Sequence, residues 1–190
     1  MSALEALFDA IKKQDVAAVT RALDAQPALA TARSASGQTP AIVAIYWRAP
    51  QILALLRTRG AELDVFEAAA AGDAERVRTL LAADPSLRDA HAPDGWTPLH
   101  AAAAGGADVG VMRRLLAAGA RVDHRQSAGY TALHEVAAIG NADVVRLLLE
   151  AGAESDARNG EGRTPAELAR AAGHAALADV LDGAVARRVS

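Results

Sequence analysis

A short pattern that returns at near-constant spacing constrains this chain more than anything else in it. Residues 94–120 read D-G-W-T-P-L-H-A-A-A-A-G-G-A-D-V-G-V-M-R-R-L-L-A-A-G-A, and residues 129–153 read G-Y-T-A-L-H-E-V-A-A-I-G-N-A-D-V-V-R-L-L-L-E-A-G-A. An eroded copy, G-R-T-P-A-E-L-A-R-A-A-G-H, covers 162–174, and an earlier one, G-Q-T-P-A-I-V-A, starts at Gly37. Thr97, Thr131 and Thr164 lie 34 and 33 positions apart. A period of this length implies one small supersecondary unit used repeatedly, each copy burying its apolar side against its neighbours.

The unit carries its own start and stop signals. Thr97 and Thr164 precede Pro98 and Pro165, so a hydroxyl can cap a helix whose first residue needs no donor partner. Thr131 keeps the cap with Ala132 in the proline's place. The first helix is short and Ala-rich, which lets another helix approach closely, and it should stop at Gly106, Gly140 or Gly173. Asn141 is placed to cap the second helix, with Asp143 in its first turn and an apolar face of Val144, Val145, Leu147, Leu148 and Leu149.

The first part of the chain repeats at a longer offset. Leu7-Phe8-Asp9-Ala10 falls on Val65-Phe66-Glu67-Ala68, Gln14-Asp15 on Gly72-Asp73, Pro27 on Pro85, and Thr39-Pro40 on Thr97-Pro98, always 58 positions on. This predicts helix pairs at about 3–31, 35–62, 63–90, 93–122, 127–155 and 160–188. The third pair follows Gly60-Ala61-Glu62-Leu63-Asp64 with no room for a projecting loop. Pro93-Asp94-Gly95, Ser127-Ala128-Gly129 and Asn159-Gly160-Glu161-Gly162 are turn sequences before the later pairs.

Two irregularities stand out. Tyr46-Trp47-Arg48-Ala49-Pro50 replaces the usual Gly turn, so the turn between the helices of the second pair should differ. The fourth unit has one residue more than the fifth between its Thr and closing Gly, which predicts a bulge in 105–111. Lys12, Lys13 and Gln14 suit the polar outer face of an amino-terminal capping unit, and Arg187-Arg188 follow the last unit, read as the carboxy-terminal cap.

The T-P-L-H pattern at this period resembles the ankyrin repeat. The resemblance implies an all-α ankyrin-repeat solenoid of about six stacked helix pairs with short hairpin loops, forming a single domain over 1–190. It also implies that His100 and His134 are structural struts bonded to the Thr hydroxyl and nearby backbone. Phe8 and Phe66 are placed where the motif's histidine would lie and read as core.

Composition narrows the function. With 52% hydrophobic but 3% aromatic residues, the core must be built from Ala, Leu and Val. A net charge of −3 gives no basic footprint for nucleic acid. There is no cysteine, hence no disulfide framework or thiolate metal site. No secretory signal and no apolar run of membrane-spanning length is visible, so a cytoplasmic protein is expected, and the Ala- and Arg-rich style suggests a bacterial source. His134-Glu135 begins like a zincin motif, but Ala138 stands where the second histidine would be. His91, His124 and His174 read as solvated turn residues. No nucleophile signature or phosphate loop occurs, so neither catalysis nor a cofactor is expected.

The aromatics point to binding. Trp96 and Tyr130 sit between the motif's Gly and Thr, where other units have Gln38 and Arg163; Tyr46 and Trp47 precede the inter-helix turn, where another unit has Ile139. In the fold implied by the resemblance these positions face a concave groove, and Trp, Tyr and Arg dominate interface hot spots. The expectation is a monomer that binds a protein partner through Tyr46, Trp47, Gln38, Trp96, Tyr130, Ile139 and Arg163. The alternative is a regulatory or antitoxin-like inhibitor of a partner enzyme, since the whole chain is repeat-like.

Overall fold

Capping chemistry sets where the helices start. The computed structural model describes residues 2–92, 94–106 and 108–189, with side chains through Ala186. Pro93 of the first turn sequence, Ala107 of the expected bulge and the Arg187-Arg188 side chains lie outside the described residues. Thr39, Thr97, Thr131 and Thr164 are the N-caps of helices α3 (Pro40–Tyr46), α7 (Pro98–Ala104), α9 (Ala132–Ile139) and α11 (Pro165–Ala171). The second helices of these pairs are α4 (Pro50–Thr58), α8 (Val109–Ala117), α10 (Ala142–Glu150) and α12 (Ala175–Val189). The remaining pairs are α1 (Ala3–Lys12) with α2 (Val16–Ala25) and α5 (Val65–Ala70) with α6 (Ala74–Ala83). Of the prolines matched at the 58-residue offset, Pro27 and Pro85 each open a 3₁₀ turn, Pro27–Thr31 and Pro85–Asp89. No strand occurs among the described residues.

Contacts divide the chain into two compact units, residues 1–67 and 68–190. In the first, α1 packs on α2 and α3, and α4 packs on α2 and α3, around fully buried Leu7, Ile11, Val19, Leu23 and Leu56. In the second, the first helices lie side by side, α7 on α9 and α9 on α11, while α8 packs on α6 and α10. The Ala-rich first helices make this possible: Ala101, Ala102 and Ala103 are buried, as are Val111, Met112 and Leu115 on α8. The closest approach is at Gly105, where an added Cβ would fall 2.0 Å from the Ala70 carbonyl oxygen.

The turns within pairs share one closure. The amides of Asp15, Ala49, Asp73, Asn141 and His174 each donate to the carbonyl five residues back, at 2.8–3.4 Å. The residue before each has positive φ: Gln14 at 55°, Arg48 at 48°, Gly72 at 73°, Gly140 at 86° and Gly173 at 89°. The expectation that the Tyr46–Pro50 turn would differ is therefore corrected. Its backbone matches the others because Arg48 takes the left-handed conformation usually left to glycine, at a cost of roughly 1–2 kcal/mol. The turn that does differ is the fourth. Three residues separate α7 from Asp108, the cap of α8, where two separate α3 from Ala49.

A second correction concerns Phe66. Asp64 caps α5, its Oδ1 accepting from the amides of Phe66 (3.0 Å) and Glu67 (2.9 Å). The third helical position, which His100 holds in α7, therefore belongs to Glu67, and Phe66 is half-buried. Glu67 is 4% exposed; its Oε2 accepts from the Asp64 amide at 3.0 Å and its Oε1 accepts from the Thr39 hydroxyl. Phe8 is buried as expected.

Two stability predictions follow from these contacts. Gly105→Ala should cost about 1–3 kcal/mol in urea denaturation, because the new methyl meets backbone that cannot swing away. Burial raises the Glu67 pKa above its ordinary value, opposed by the Thr39 hydrogen bond. A raised folded-state pKa means the contribution present below about pH 4.5 is lost as pH rises through the folded value. Glu67→Gln should therefore gain in melting temperature relative to wild type between pH 5 and pH 8; a constant difference would contradict this.

Candidate functional site

The loops before the first helices are built alike. In each, one amide donates to the carbonyl four residues on: Ser34 to Gln38 (2.9 Å), Ala92 to Trp96 (2.9 Å), Gln126 to Tyr130 (3.0 Å) and Asn159 to Arg163 (3.0 Å). A tighter turn bond runs back from Gly37, Gly95, Gly129 or Gly162 to the carbonyl of the loop's first residue. Gln38, Trp96, Tyr130 and Arg163 thus occupy one equivalent position, directly before the capping threonine. Gln38 is exposed; Trp96, Tyr130 and Arg163 are half-buried. In residues 68–190 neighbouring loops are also joined, Ser127 N to Asp94 O and Gly160 N to Ala128 O, both at 2.8 Å.

Beneath these positions lie the two motif histidines. His134 Nδ1 accepts from the Thr131 amide at 3.1 Å and lies 2.9 Å from the Thr131 hydroxyl; its Nε2 is 3.1 Å from the Arg163 carbonyl. His100 repeats the arrangement, with Nδ1 at 2.8 Å from Thr97 Oγ1 and Nε2 at 3.0 Å from the Tyr130 carbonyl. An amide donor on Nδ1 and a carbonyl acceptor at Nε2 leave one consistent assignment, a neutral ring protonated on Nε2. Each histidine is almost fully buried, and burial pushes its pKa below the usual value, the carbonyl bond opposing the shift. Both nitrogens are committed, which makes these rings struts that hold the backbone under Tyr130 and Arg163. Trp96 and Tyr130 tilt over the strut rings at 6.1 and 5.6 Å between centroids.

The other histidines divide. His91 is exposed, but His124 is half-buried, with Nε2 3.2 Å from the Gly95 carbonyl and its ring edge-on to His100 at 6.0 Å. His174 packs on the preceding turn, where a Cβ on Gly140 would fall 2.5 Å from its Cε1. These two are thus not solvated turn residues; each joins its own pair to the one before.

At the ends of α3 and α9 large apolar side chains are exposed. Tyr46 is 55% exposed, Trp47 49% and Ile139 40%. Gln38, Tyr46 and Trp47 belong to residues 1–67, and Trp96, Tyr130, Ile139 and Arg163 to residues 68–190. Glu161 Oε2 lies 3.2 Å from Arg163 Nε. Sequence reasoning passed over one feature here, the left-handed Gln14 and Arg48. The alignment of Gln14 on Gly72 was the available signal, since a glycine-like turn with a bulky residue is where positive φ matters.

The strut assignment makes a pH prediction. A depressed histidine pKa contributes stability that is present above about pH 6.5 and lost as pH falls through the folded-state value. His134→Gln should therefore cost about 1–3 kcal/mol at pH 7.5, by loosening a buried carbonyl and amide. The gap to wild type should narrow as pH is lowered toward 5, measured by thermal unfolding; a gap that stays constant would contradict the assignment.

Comparison with protein-family models matches the ankyrin repeats model (three copies) over residues 65–159 and 107–184. A comparison with curated proteins gives no significant match. No helix among the described residues is long and apolar enough to cross a membrane. Ankyrin repeats are generally non-enzymatic modules of protein–protein interaction. With well over half of the chain matched, and with the threonine–histidine struts in place, this chain belongs to the ankyrin-repeat family.

Proposed function

We propose that the chain, residues 1–190, is a protein-binding module that takes its partner through the concave face of the family's fold, using Gln38, Tyr46, Trp47, Trp96, Tyr130, Ile139 and Arg163. The observation that carries this reading is the exposure of Tyr46 and Trp47. In a chain with only two Trp and two Tyr, one of each stands about half out of the surface at adjacent positions. A partner that covers this apolar area gains hydrophobic free energy. Trp96, Tyr130 and Arg163 add the same residue types at a position whose backbone is fixed by hydrogen bonds. A backbone held in advance loses little entropy when a partner docks.

The reading is tested by capturing the partner from host lysate with the full chain and measuring its affinity for variants. Trp47→Ala and Trp96→Ala should leave the circular dichroism spectrum unchanged and weaken binding by about 30-fold each, as expected for hot-spot residues. Unchanged affinity in both would show that the binding face lies elsewhere.

A further inference from the structure

Two adjacent turns in residues 1–67 combine features that the repeat itself does not require. Gln14 and Arg48 both hold positive φ, at 55° and 48°, and are the only non-glycine residues that do so among the described residues. Gln14 Nε2 donates to the Trp47 carbonyl at 3.3 Å, which draws the two turns together. Beside them a cleft of about 210 Å³ is lined by Gln14, Val16, Ala49, Pro50, Gln51 and Ile52. Val16 is 37% exposed, and Trp47 directly precedes the turn that lines the cleft.

Three cations belong to the two turns that supply residues to this cleft. Lys12 ends α1, Lys13 is its C-cap, and Arg48 holds the same turn position in the next pair as Gln14. All three are exposed, and none is bonded to a carboxylate among the described residues. The one acidic residue between Lys13 and Val16, Asp15, caps α2 through a bond from the Ala18 amide at 2.9 Å. The chain's charge is distributed unevenly as well. Residues 1–67 hold seven basic and seven acidic side chains, and residues 68–190 hold 13 and 16, so the net −3 resides entirely in the second unit. An acidic ligand is repelled by that unit and attracted to the Lys12–Lys13–Arg48 cluster.

We infer that this turn face is a docking site for an acidic peptide segment of a partner protein, with one apolar side chain of the peptide entering the cleft beside Val16 and Pro50. The inference rests on the reading of the chain as a protein-binding module and names the chemistry of what it binds. It also gives the left-handed Arg48 a use. Glycine there would relieve the backbone, as it does at Gly72, Gly140 and Gly173, and would remove a charge from the site.

The test pans the full chain against a random dodecapeptide library and measures the selected peptides by fluorescence anisotropy. The expected result is a consensus of Asp or Glu around one apolar residue, with affinity that falls as salt is raised. Lys12→Glu with Lys13→Glu should weaken it at least tenfold, and Arg48→Gly should weaken it severalfold while raising the melting temperature. Arg146→Ala, an exposed change on α10 outside both proposed faces, should leave it unchanged. Neutral or basic selected peptides, or acidic ones insensitive to the charge reversal, overturn the inference and leave the broader binding function standing. Failure to select any peptide, together with loss of partner capture, overturns both. Binding to phosphatidylserine vesicles in place of peptide, or self-association abolished by the same reversal, also overturns it by assigning the face to a lipid surface or to a second copy of the chain.

Discussion

The buried capping threonine at the start of α3, α7 and α9 is what the rest of the arrangement depends on. The threonine that caps the helix also touches the residue at the third helical position. Where that residue is histidine, its far nitrogen reaches the backbone of the next loop, as His100 does to Tyr130 and His134 to Arg163. An imidazole suits the task because one ring offers an acceptor and a donor on opposite edges while remaining uncharged. Buried polar groups without partners would be costly in a core made largely of Ala, Leu and Val, and these rings leave neither nitrogen idle.

The first unit solves the same problem differently. The second pair begins Thr39-Pro40-Ala41-Ile42, with no histidine to bridge onward. The Thr39 hydroxyl instead bonds the buried Glu67 carboxylate, which also accepts from the Asp64 amide. A carboxylate can accept both bonds but retains a charge that burial penalises, so the substitute is pH-sensitive in the opposite sense to the histidines. The absence of a loop between α4 and α5 fits this solution, since Asp64 caps α5 only a few residues after α4 ends at Thr58.

Much of the fold was legible because its signals are local. Threonine caps, prolines at the first helical position and glycines after the helices fix element ends through short-range sterics and hydrogen bonding, and the helices begin where those residues predict. The 58-residue offset likewise aligned Pro27 with Pro85, and both open a 3₁₀ turn in the structure, because proline fixes φ wherever it falls. What was not legible depended on the third dimension. Nothing local shows that Arg48 would tolerate a glycine's conformation, that His174 would lie on the Gly140 turn, or that Glu67 would take the histidine's place. The equivalence of Gln38, Trp96, Tyr130 and Arg163 was readable from spacing; their exposure and the support beneath them required coordinates.

The central claim is that His100 and His134 are uncharged struts that position the loop residues above them and take no part in proton chemistry. Long-range ¹H–¹⁵N NMR of the imidazole rings across a pH titration tests it most directly, because each tautomer has distinct nitrogen shifts. The account requires both rings to be neutral and protonated on Nε2 at pH 7, with pKa values below 6.5. Rings that are cationic at neutral pH, or protonated on Nδ1, would contradict it.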